Sequence, residues 1–166
     1  MDNKPTLTDI ARIGRTHPDL ADRLKGRAEI LSAVKKPPSR RGSNEGHILV
    51  SLFDHERRQS VLAVIDAEHQ KVLDVRPTEI QFQLSDKERE EAERIASQDS
   101  RVRARLAGRS MNALTRLYFP VGGASSGNRH AIVFMRPSKS ERWYAIVDLT
   151  ARSTVDVLSR RRLAGE

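Results

Sequence analysis

Short apolar runs alternate with short polar breaks along this chain, and the arrangement is written twice. Ala145 to Val157 reads as an apolar strand, a polar turn at Asp148 and a second strand. Ala63 to Val75 repeats it 82 residues earlier, with Ala63/Ala145, Asp66/Asp148, Asp74/Asp156 and Val75/Val157 identical. Arg12-Ile13 and Arg94-Ile95, Leu24 and Leu106, and Gly26 and Gly108 keep the offset of 82, whereas Pro37/Pro120, His47/His130 and Val50/Val133 stand 83 apart. The later copy thus gains one residue between Gly26 and Pro37 and loses one before Ala63, as loops allow. A repeat of this period predicts two units of one build, residues 1–82 and 83–166.

Each unit opens on a helical pattern. Leu7 to Gly14 reads as a short turn or helix, Pro18 suits the first position of a second helix, and Leu20 and Leu24 share one face. In the later copy Ser85 and Glu88 form a capping-box signature. Ile95, Val102 and Leu106 make one apolar stripe, and Gln98-Asp99-Ser100 is placed to break or bend the helix. Gly26 and Gly108 are placed to end the helices with a left-handed residue. Four strand-like runs then follow in each copy: Glu29–Val34, Ile48–Phe53, Ser60–Ile65 and Lys71–Val75, then Asn112–Phe119, Ala131–Met135, Trp143–Val147 and Thr154–Leu158. Their Val, Ile, Tyr and Phe suit a pleated, half-buried surface. Their short polar connections predict antiparallel hairpins, because crossovers need a dozen residues or more. The loops Pro37 to Gly46 and Pro120 to Arg129 are the longest in their units. Pro77 and Thr78 close the first unit, Glu79 to Leu84 reads as an extended connector that pairs at a sheet edge, and Ser159 to Glu166 is a charged tail.

Composition narrows the function classes. The 166 residues carry a net charge of +8, with Arg greatly outnumbering Lys, which favours anions at long range or solubility alone. The absence of cysteine excludes disulfides and thiolate chemistry. No signal-like apolar segment starts the chain and no run reaches the roughly 18 apolar residues of a membrane span. The expectation is a soluble, cytoplasmic protein with no membrane association. Aromatic residues make up only 4%, so the cores must rest on Val, Ile, Leu and Ala.

The succession Arg129-His-Ala-Ile-Val-Phe-Met135, Arg142-Trp-Tyr-Ala-Ile-Val-Asp-Leu-Thr150 and Thr154-Val-Asp-Val157 resembles the N-terminal, non-catalytic domains of copper amine oxidases, which are two consecutive cystatin-like units. The likeness covers about residues 7–158, and PepSY-type domains are a second relative in style. It implies an α+β fold of two tandem cystatin-like units, each a helix packed on a four-stranded antiparallel sheet, with a binding or assembly role. It does not imply amine oxidation, which needs a modified Tyr and a copper-binding His cluster. Tyr118 and Tyr144 both lie in strand patterns here, and the five histidines are scattered. Nor is the Gln-x-Val-x-Gly loop of cystatin inhibitors present.

No residue set in the sequence amounts to a catalytic, cofactor or metal site. His47 and His130 begin matching strands, and a strand-edge residue kept through duplication is the plain alternative to a repeated ligand site. Asp66 and Asp148 suit turn starts. Asp74 and Asp156 suit water-facing positions between inward Leu73/Val75 and Val155/Val157. Val121 to Gly127 lacks the Lys-Ser/Thr of a phosphate loop. Arg101, Arg105 and Arg109 fall on one helical face and are the candidate anion contacts, though a solvated face explains them too. Val61–Ile65 and Trp143–Val147 are apolar on both strand faces, so one face needs cover beyond its own helix. Trp143, Tyr144, Ile146, Val61 and Val64 are the candidate partner surface. The expected function is a non-catalytic protein-binding, adaptor or assembly module with a protein partner or a homodimer. The alternative is a basic nucleic-acid-binding protein.

Overall fold

The structure, a computed structural model, describes residues 27–35, 46–66, 68–69, 71–120, 127–136 and 141–159. The chain divides into two compact units, Met1–Phe82 and Gln83–Glu166. The described residues hold two four-stranded antiparallel sheets and two helices, an α+β protein. The helical readings between Leu7 and Gly26, the clusters Arg40-Arg41 and Arg160 to Arg162, and most of both long loops lie outside the described residues.

In the first unit, β1 (Ala28–Lys35), β2 (His47–Asp54), β3 (Gln59–Asp66) and β4 (Lys71–Thr78) form a meander in chain order. Alternation along the strands sorts the side chains. Ile48, Val50 and Leu52 join Val61, Ala63, Ile65 and Val72 in one buried aliphatic cluster. Pro77 and Thr78 are the last two residues of β4, the last strand of the unit. β4 runs through them, with Val61 paired to Pro77 and Ser60 to Thr78. Proline is tolerated there because β4 is the last strand of its sheet and needs no donor on its open side. Residues 79–85 belong to no strand, so the alternating Glu79 to Leu84 does not pair at a sheet edge. Instead Leu84 turns into the core of the second unit.

In the second unit α1 (Asp86–Gln98) begins at Ser85, whose hydroxyl accepts from the Glu88 amide while the Glu88 carboxylate accepts from the Ser85 amide. Asp99, extended at φ −68° and ψ 131°, ends α1. Its carboxylate then accepts from the Arg101 amide and starts α2 (Ser100–Leu106). α2 stops at left-handed Ala107 (φ 47°), followed by Gly108 (φ 81°). β5 (Ala113–Tyr118), β6 (His130–Met135), β7 (Trp143–Asp148) and β8 (Ser153–Ser159) form the second meander. Ala92, Ile95, Ala96, Val102 and Leu106 of the helices bury against Ala131, Val133, Met135, Ala145, Val147 and Val157 of one sheet face.

The repeat extends into the irregularities. Both closing hairpins carry a β-bulge, between Val64 and Ile65 against β4 and between Ile146 and Val147 against β8, 82 residues apart. The bulge inserts a residue in the closing strand and breaks its alternation. Leu73 and Val155 are therefore 46% and 53% exposed, not inward as simple alternation predicts. Asp66 and Asp148 both stabilise the turn that follows them. Asp66 accepts from the amides of Glu68 and His69, and Asp148 from that of Ala151.

One buried ion pair ties the second unit together. The Arg129 guanidinium, 0% exposed, donates through Nε and Nη2 to both carboxylate oxygens of Glu88, 2% exposed. It also donates to the Gln83 carbonyl at 3.0 Å. Glu88 thus caps its own helix and fixes that helix to the start of β6.

Candidate functional site

Strand register places the side chains of the second sheet's face opposite α1 and α2 in three rows. Leu114 stands opposite Phe134, Phe134 opposite Tyr144, and Tyr144 opposite Leu158, an apolar row across all four strands. The Phe134 and Tyr144 rings meet edge to face with centroids 5.1 Å apart. Leu114 is 51% exposed, and Phe134, Tyr144 and Leu158 are half-buried. The next row is Arg116, Ile132, Ile146 and Asp156, apolar in the middle and oppositely charged at its two ends. The third is Tyr118, His130, Asp148 and Ser153, polar throughout. Thr115 marks the other face, where its hydroxyl donates to Glu93 of α1 at 2.6 Å.

The first sheet supplies a built-in comparison. Its equivalent of the apolar row is Ser32, Ser51, Leu62 and Arg76, with the two serine hydroxyls hydrogen-bonded at 2.6 Å. Its equivalent of the second row is Val34, Leu49, Val64 and Asp74. Fold alone therefore does not require an apolar row at this height.

The five residues expected at a partner surface divide among four places. Half-buried Tyr144 and buried Ile146, 8% exposed, lie on the face of the second sheet opposite α1 and α2. Trp143 lies on the opposite face, packed on the helix-side core with the Arg105 guanidinium 4.3 Å above its ring. Val61, 1% exposed, belongs to the first unit's core, and Val64 to the other face of that sheet. One residue of displacement along a strand changes the face. Leu114, Phe134, Leu158, Arg116 and Asp156 were missed. The alternation Leu114-Thr-Arg116-Leu-Tyr118 signals a two-faced strand, but only hairpin register reveals which side chains share a row.

The arginine ridge has structural duties. Arg101 closes on Asp99 through Nε at 3.1 Å and Nη2 at 2.9 Å. That hydrogen-bonded pairing holds the Asp99 carboxyl below the usual carboxylate range and the Arg101 guanidinium above its ordinary value. Arg105 donates to the Arg101 carbonyl at 3.4 Å, and Arg109 to the carbonyls of Leu106 and Arg105 and to Glu141. Arg109 thereby covers the carbonyl end of α2, where positive charge is favoured. Residues 83–166 nonetheless hold 16 Lys and Arg against 10 Asp and Glu.

The repeated histidines face the repeated aspartates across the middle hairpin of each unit, His47 opposite Asp66 and His130 opposite Asp148. His130 Nε2 lies 3.6 Å from Asp148 Oδ2, which also accepts from Asn128 Nδ2 at 2.6 Å. In the first unit Asp66 Oδ2 instead meets His69 Nδ1 at 2.8 Å. No cluster of three or more metal-ligating side chains exists among the described residues. No helix among them is long and apolar enough to cross a membrane. Neither a protein-family model nor a curated protein matches the chain.

Proposed function

We propose that this chain is a non-catalytic protein-binding and assembly module whose docking surface is the apolar row Leu114, Phe134, Tyr144 and Leu158 of the second sheet. We further propose that its halves are cystatin-like units of the kind found in the arms of copper amine oxidases. The meander order and the helices packed on one sheet face support that relationship. A single observation carries the docking reading. The row Leu114–Phe134–Tyr144–Leu158 is apolar where its duplicate is Ser32–Ser51–Leu62–Arg76. Complete burial of an exposed apolar side chain of this size is worth about 1.5–3 kcal/mol, of which Leu114, 51% exposed, still has about half to gain and half-buried Phe134, Tyr144 and Leu158 a smaller share each.

The test transplants the duplicate's row. Leu114→Ser, Phe134→Ser and Leu158→Arg, combined, should leave the circular dichroism spectrum native-like, because the first sheet accommodates those residue types. Association of the purified chain, with itself or with a co-purifying protein, should persist from about 0.1 M to about 1 M salt, where exposed charges are screened. It should be lost in the triple variant. Undiminished association in that variant would overturn the docking reading. Association that vanishes in high salt would point instead to charge-driven binding of nucleic acid.

A further inference from the structure

We propose that the second unit binds the phosphodiester backbone of a nucleic acid through Arg105, Arg109, Arg136 and Arg142, which gather where α2 ends beside the β6–β7 hairpin. The inference goes beyond the docking reading and uses other residues. Strand register fixes the place. Met135 and Trp143 pair as the last residue of β6 and the first of β7, so Arg136 and Arg142 extend from neighbouring strand ends. The Arg136 amide donates to the Asn112 carbonyl at 3.3 Å, which brings the approach to β5 alongside. Arg105 reaches the same end over the Trp143 ring, and Arg109 reaches it through Glu141. Arg109, Arg136 and Arg142 are all exposed.

Neutral groups hold two of these side chains in place. Arg105 rests on an aromatic ring and on the Arg101 carbonyl, and Arg109 on the carbonyls of Leu106 and Arg105. Such contacts fix a guanidinium without cancelling its charge. Glu141 is the only acid between Asp99 and Asp148. Ser100 to Ser140 contain eight Lys and Arg and no Asp or Glu. The duplicate stretch 82 residues earlier, Pro18 to Arg58, contains nine Lys and Arg but six Asp and Glu. A surface kept only for solubility intersperses both signs. The acid-free stretch instead sets up a field of one sign, which attracts a polyanion. Nor does the fold itself demand cations at this end. Phe53 and Ser60 stand where Arg136 and Arg142 stand in the later copy, paired with one another and 0% and 1% exposed. The planar fork of arginine matches two phosphate oxygens. With Trp143 covered by Arg105, the site offers charge and not a stacking ring, so it binds without base preference.

Fluorescence anisotropy of the full chain with labelled poly(U) and with a mixed-sequence DNA duplex tests the site and separates RNA from DNA as its ligand. At least one probe should bind with a Kd on the order of 10 µM near physiological salt. For the single strand, log K should fall against log salt with a slope of about −3, four charges at roughly 0.7 each. R136Q and R142Q, combined, should weaken binding several-fold and make that slope shallower by about 1.4. E141Q removes the one acid of the site and should tighten binding, a gain that a damaged fold cannot produce. K35Q, K71Q and R76Q, combined, take three exposed charges from the first unit and should weaken binding less than the R136Q and R142Q pair does. No binding of either probe at low salt, an equal or larger loss in the first-unit variant, or no gain from E141Q would each overturn the proposal. So would competition by polyglutamate as strong as that by unlabelled poly(U), which would make the partner an acidic protein. The variant that replaces Leu114, Phe134 and Leu158 should bind the probes as the wild type does, so the docking reading and this one stand or fall separately.

Discussion

Arg129 and Glu88 are both removed from water and are paired with one another. A buried pair of this kind is costly to break because the survivor is left as an uncompensated ion. Arg129→Met should therefore lower stability by roughly 3–5 kcal/mol in urea unfolding. Adding Glu88→Gln should recover much of the loss, since glutamine keeps the reciprocal cap without the charge. His69 offers a milder case at the surface. Its hydrogen bond to Asp66 raises its pKa above the ordinary 6.5, and the His69 amide is the main cause that lowers Asp66 below 3.8. The imidazolium contribution is complete below 6.5 and is lost as pH rises through the higher folded value. The carboxylate contribution is present above 3.8 and is lost as pH falls through the lower folded value. In an NMR titration the His69 ring should titrate above 6.5, and Asp66→Asn should bring it down.

Among the elements, α1 depends on its first turn more than on its last. Ser85 and Glu88 satisfy two otherwise open amides, and Asp86 and Glu88 place negative charge at the positive end of the helix. Its last turn contains no basic residue. Ser85→Ala should cost about 1 kcal/mol by thermal unfolding. α2 is only seven residues long and would not persist alone. Val102 and Leu106 hold it by burial, and Arg109 closes its carbonyl end. The paired bulges do comparable work in the sheets by turning Leu73 and Val155 out of alternation at matching positions.

Across the whole molecule, the strands and the duplication were legible because side-chain period and residue identity are local properties. Ser85 and Glu88 announced their helix for the same reason, and Asp99 its break. The docking rows were not legible. Trp143 and Tyr144 are adjacent and both aromatic, so composition is silent about which one faces the helices. The bulges were hidden because an extra residue shows only in hydrogen-bond register. Arg129 was hidden because its partner lies 41 positions away, in a helix whose polar face looks solvated from sequence. That separation also bears on synthesis. Glu88 leaves the ribosome before its counter-ion exists, and a bare carboxylate prefers water to an aliphatic sheet. The completed helix therefore has no counter-ion for Glu88 until Arg129 emerges, and the sheet face it packs on is complete only once β8 has followed.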